Sequence, residues 1–121
     1  MNIQEELLRC QRWIESALDK GGDTHSFLDV VEGVLSGHMQ LWPGEEGCAV
    51  TEIVNYPNKK VLHVFLAAGD LKQITNMHED AVEWGKSQGC NGMSLSGRSG
   101  WKKILEKEGW KQQQVVLVKE F

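Results

Sequence analysis

The sequence holds no Cys-x-x-Cys pair, and its three cysteines, Cys10, Cys48 and Cys90, lie far apart. That spacing excludes a zinc ribbon and a disulfide framework, and leaves small buried hydrophobes as the reading for all three. His25, His38, His63 and His78 show no metal-ligand spacing with one another or with the cysteines, so no metal site is expected. No apolar run approaches a membrane span, and the opening MNIQEELLRC has no signal-peptide shape. An intracellular, cytoplasmic protein off the membrane is expected. Internal repeats, low-complexity stretches and interdomain linkers are missing too. The 121 residues therefore read as one domain, long enough for a core that needs neither metal nor disulfide. A net charge of −4 excludes a generic nucleic-acid binder. The charge is uneven: residues 1–97 carry 7 Lys/Arg against 14 Asp/Glu, and residues 98–121 carry 6 against 3.

Apolar periodicity organises what is present. Residues 3–19 predict an amphipathic helix, with Ile3, Leu7, Leu8, Ile14 and Leu18 broadly on one face and Gly21-Gly22 ending it. A second helix fits 26–36, capped by Thr24 or Ser26, with Phe27, Val30, Val31, Val34 and Leu35 as its stripe. MQLWPGEEG (39–47) is a short apolar piece with a turn at Pro43-Gly44. CAVTEIVNY (48–56) predicts a strand, PNKK a turn, and VLHVFLAA (61–68) a central strand covered on both faces. Residues 39–68 thus predict an antiparallel meander. Residues 69–89 predict one helix, with Asp70 as N-cap, Gln73 completing a variant capping box, and Gly89 closing it. CNGMSLSG (90–97) predicts a strand parallel to 61–68 after a right-handed crossover. A helix over about 99–108 and a last strand over 113–121 follow. The fold class is an α/β mixed sheet, α+β in its strand order, with helices on both faces.

The stretch R98-S-G-W101-K-K-I104-L105-E106-K107-E-G109-W110 closes that order. Its register is similar to N-x-x-A-x-x-L-Y-E-K-x-G-F, the pattern on the C-terminal helix of the GNAT-type N-acetyltransferases. The chain resembles that family over roughly residues 39–121, and AVEWGKSQGCNGMSLSG (81–97) resembles its preceding helix, glycine and strand. The resemblance implies a GNAT-like domain over 1–121 and acetyl-coenzyme A as donor, held between diverging strands 61–68 and 90–96. It places the backbone of Leu66, Ala67 and Ala68 against the pantetheine, and Gly69, Asp70, Leu71, Lys72, Gln73 and Ile74 against the phosphates. The family's phosphate loop is R/Q-x-x-G-x-G/A. Here its arginine position is Gly69, neither later glycine is present, and Asp70 puts negative charge where phosphate sits. The tyrosine that protonates the leaving thiolate in many members is Leu105 here, which has no proton to give. Trp101 replaces a small alanine, and Arg98 stands where asparagine is common.

Arg98, between Gly97 and Gly100 at a strand end, is a candidate anion grip or an exposed turn residue. Lys102, Lys103, Lys107 and Lys111 form either an anion-facing patch or a solvated helix face. His63 is a candidate base toward an amine, because imidazole titrates near neutral pH; the other reading is a hydrogen-bonded core histidine. Glu52 is a candidate carboxylate base or a solvent-facing strand residue. Ser94 and Ser96 read as the polar face of a strand, since GMSLSG is not a nucleophile elbow. Two functions follow from the resemblance. One is an acyl-coenzyme A-dependent transfer of an acetyl group to a small-molecule or protein amine. The other is a non-catalytic GNAT-fold binding or structural protein, similar to compact bacteriophage proteins, that has lost the phosphate loop. A homodimer or a protein partner is open on either reading.

Overall fold

The computed structural model describes residues 2–97 and 99–121, and of Leu71 the backbone alone. Arg98 therefore lies outside the described residues. Two helices come first. The helix α1 (Ile3–Lys20) starts where the Asn2 side chain accepts the Glu5 N–H at 3.1 Å. Its buried face is Leu7, Cys10, Ile14 and Leu18, a spacing of three and four residues that keeps one stripe inward. Leu8, expected on that stripe, is exposed and Cys10 takes its place; one residue is a 100° rotation, enough to leave the sheet. The helix α2 (Phe27–Ser36) begins with a complete capping box: Asp29 N–H donates to Ser26 Oγ and Ser26 N–H donates to Asp29 Oδ2. Two orphan donors of the first turn are satisfied at once. Ser26→Ala is expected to cost about 1 kcal/mol, readable as a lower thermal midpoint with unchanged circular dichroism.

The sheet holds β1 (Met39–Pro43), β2 (Gly47–Asn55), β3 (Lys60–Gly69) and β4 (Gly92–Leu95) in the order β1-β2-β3-β4. The first three are antiparallel neighbours, and β4 runs parallel to β3. The expected meander and parallel crossover are both present. The chain between β3 and β4 forms α3 (Leu71–Asn76) and α4 (His78–Ser87), and α5 (Gly100–Glu106) follows β4. Cys48, Val50 and Leu66 point to α1 and α2, where Leu7, Cys10, Ile14, Leu18 and Val30 meet them as the main core. Leu62 points to the other face, against Gly85 of α4, and Trp42 meets Trp84 of α4 edge to face at 6.0 Å. Trp42 Nε1–H donates to the buried Thr51 Oγ1, whose own hydroxyl donates to Gln40 Oε1, each at 2.9 Å. Cys10 and Cys48 are buried free thiols raised by desolvation, which suits the apolar role read from the sequence.

Three expectations fail. Residues 69–89 form two helices, because α3 stays pinned to the turn between β1 and β2 while α4 lies over Leu62. The pin is Gln73 Oε1, which accepts the Glu46 N–H at 2.7 Å; Gln73 thus serves a neighbouring turn and not the expected capping box. The strand over 90–97 shortens to Gly92–Leu95. Finally, residues 113–121 form no strand: Val115, Val116, Leu117 and Val118 are exposed and pair with no described strand.

Candidate functional site

The strand β3 pairs with β4 only from Val61 to Val64. Beyond that point β3 continues to Gly69, and β4 stops at Leu95, the partner of Val64. A bulge marks the place. Val50 pairs with Leu66 and Thr51 with Val64, so Phe65 is an extra residue that bends β3 as the two strands part. The result is an open notch. One wall is the β3 edge from Phe65 to Gly69, whose backbone has no ladder partner on that side among the described residues. The end of β4 forms the other.

A polar row crosses the sheet beside this notch. Register pairs Glu52 with His63, and His63 with Ser94, so the three side chains share one face. His63 Nδ1 and Ser94 Oγ are 2.9 Å apart. Burial lowers the His63 pKa from its ordinary value near 6.5, against the opposing pull of the Glu52 carboxylate. The ring is therefore neutral at pH 7. When Nδ1–H donates to Ser94, Nε2 carries the lone pair and is a free base. Of the two readings of His63, the structure gives a half-buried, hydrogen-bonded ring with a carboxylate across the strand. Ser94, read as plain strand polarity, is its partner. Only register reveals that, since Ser94 lies 31 residues away.

This depressed pKa has a consequence for stability. The unfolded chain takes up its proton first as pH falls. The His63 contribution is full above about pH 6.5, declines below it, and is lost once the pH passes the lower folded-state value. Replacing the ring in His63→Gln is expected to flatten part of the acid-side slope. Denaturant titrations at about pH 7.5 and about pH 5 read the difference; an unchanged slope would show that the ring is not held neutral.

The start of α3 is built differently. Asp70 is its N-cap, accepting the Lys72 N–H at 3.0 Å. The Asp70 N–H itself donates to the Glu46 carbonyl at 2.6 Å. Arg9 holds the same turn from behind, donating to the Gly44 carbonyl at 2.7 Å and the Glu45 carbonyl at 3.2 Å while paired with Glu6. Two amides of the 69–74 segment are thus spent within the protein, with the exposed Asp70 carboxylate beside them. Lys72 is exposed; Leu66 turns its side chain into the core and offers only backbone.

Among the described residues, His78, Glu79 and Glu108 bring possible metal-ligand atoms within 4.8 Å of one another. The hydrogen bonds disqualify them. Trp110 Nε1–H donates to His78 Nε2 at 2.9 Å, and indole has no acceptor role here. Nε2 therefore holds the lone pair and Nδ1 the proton, which leaves Nδ1 unable to ligate. The contact instead docks the end of α5 on the start of α4.

The sequence matches no protein-family model, and no curated protein matches it significantly. Solved structures do match. An acetyltransferase from Trypanosoma brucei superposes with a TM-score of 0.63 at 14% identity, covering 78% of each chain. A glucosamine-6-phosphate N-acetyltransferase from Arabidopsis thaliana gives 0.62 at 20% identity, over 78% of this chain and 76% of that one. A probable acetyltransferase gives 0.70 at 10% identity, over 100% of this chain and 97% of that one. The chain has the GNAT fold. Identities this low carry the fold alone. Within the GNAT fold the notch between β3 and β4 is the place the sequence resemblance assigns to the donor. No helix among the described residues is long and apolar enough to cross a membrane.

Proposed function

We propose that this GNAT-fold chain is a divergent N-acyltransferase that moves an acetyl group from a thioester, acetyl-coenzyme A, to an amine. One observation carries the reading: the β3 edge opens at the Phe65 bulge, directly beside the Glu52–His63–Ser94 row. An extended pantetheine arm has amides of its own and can pair with the free backbone of Phe65 to Ala68 as an added strand would. Leu66, Ala67 and Ala68 serve through their main chain, and Gly69 ends the wall. The residues present fit that arm. They do not fit a diphosphate at α3, because Asp70 caps the helix and Glu46 takes its N–H. Gly69 to Ile74 therefore border the donor's outer end with little grip, apart from Lys72. Arg98, following Gly97 in the sequence, is the further cation assigned to that end.

The chemistry needs one base. The amine nitrogen attacks the thioester carbonyl carbon, and the carbon–sulfur bond breaks. His63 Nε2 takes the amine proton, Ser94 fixes the tautomer, and the Glu52 carboxylate offsets the imidazolium charge. Leu105 stands at the usual acid's position, so the departing thiolate takes its proton from water. Mixing the protein with acetyl-coenzyme A and a panel of primary amines, with a thiol dye as readout, tests this. Amine-dependent thiol release is expected. Acetyl-pantetheine is expected to work within about tenfold of acetyl-coenzyme A, because few charge-assisted contacts await the diphosphate. The absence of release with either donor would overturn the proposal. It would favour the second reading, a GNAT-fold binding protein without catalysis, for which the capped α3 and Leu105 are the supporting observations.

A further inference from the structure

Residues 111–121 make no hydrogen bond to any described residue. They follow Trp110, which is fixed to His78. Their run VVLV is continuous and apolar, a pattern that suits a strand covered on both faces and not a solvated tail. Yet Leu117 is 89% exposed and Val118 79%. Meanwhile β4 pairs only with β3, so its outer edge offers four residues, Gly92–Leu95, of unpaired backbone. One chain thus carries a bare strand and a bare edge of matching length that do not meet. We infer that residues 113–118 of one copy add to the β4 edge of a second copy, and that the exchange is reciprocal. Two identical contacts related by a twofold axis satisfy both edges and leave no open end, so the assembly stops at a dimer. A one-sided pairing would leave a free strand and a free edge, and would propagate.

Sedimentation velocity from nanomolar to micromolar protein tests the inference. The expected result is a dimer. Val116→Lys with Val118→Lys is expected to weaken it about 100-fold or more. Circular dichroism should not change, because these side chains pack on nothing within the chain. Nuclear Overhauser contacts between residues 113–118 of labelled protein and 92–95 of unlabelled protein should appear in the mixed dimer. A monomer at every concentration would overturn the inference, whether or not the tail folds back onto its own β4. So would a dimer that the double variant leaves intact, or one lacking those contacts.

Discussion

Alanine at position 69 is expected to lower the stability of the protein by roughly 3 kcal/mol. Gly69 ends β3 with φ at +102°, a backbone state that side-chain-bearing residues adopt only at a cost. Space is the second difficulty. A Cβ there would overlap the Glu46 carbonyl oxygen and the Gly47 Cα, both main-chain atoms that cannot swing aside. Gly69 also pairs with Gly47 at the start of β2, and Asp70 N–H donates to Glu46 next door. The β1–β2 turn would have to lift off the end of β3, taking the Gln73 contact with it. A domain of this kind is stable by about 5–15 kcal/mol, so the loss is a large share. Urea denaturation followed by circular dichroism measures it. A loss below about 1 kcal/mol would mean that the turn is looser than the contacts require.

Loss of the His63 ring is expected to slow acetyl transfer by about 10²–10⁴-fold in kcat, the usual worth of a positioned base, with KM for the donor little changed. Glutamine keeps a polar partner for Ser94, so the fold should survive. The wild-type rate should rise with pH through the range where the half-buried imidazole loses its proton, and His63→Gln should abolish that limb. Ser94→Ala, which only frees the tautomer, should cost less, about tenfold. If His63→Gln falls in rate yet keeps the same pH profile, the ring is structural and the base is elsewhere.

Much of the fold was legible because periodicity and glycine punctuation are local signals. The α2 cap at Ser26, the Asp70 N-cap and the buried run Val61 to Leu66 are each written in a few adjacent residues. What failed depends on distant partners. Gln73 looked like half of a capping box but bonds to Glu46, which a fold must bring near. The 69–89 helix broke because two segments dock on different neighbours. Residues 113–121 have strand composition with no strand beside them in the same chain, and composition says nothing of partners. The site was half legible. His63 and Glu52 were named from chemistry on adjacent predicted strands. Their union with Ser94 and the notch at Phe65 needed the register, and a bulge leaves no mark in VLHVFLAA.

The account rests most on the parted edge of β3. Amide chemical shifts of labelled protein titrated with acetyl-coenzyme A test it directly. Saturable shifts at Phe65 to Ala68 and at residues 95–97, with small ones at Asp70 to Ile74, are the predicted result. No shifts at millimolar donor, or shifts centred on the start of α3, would contradict it.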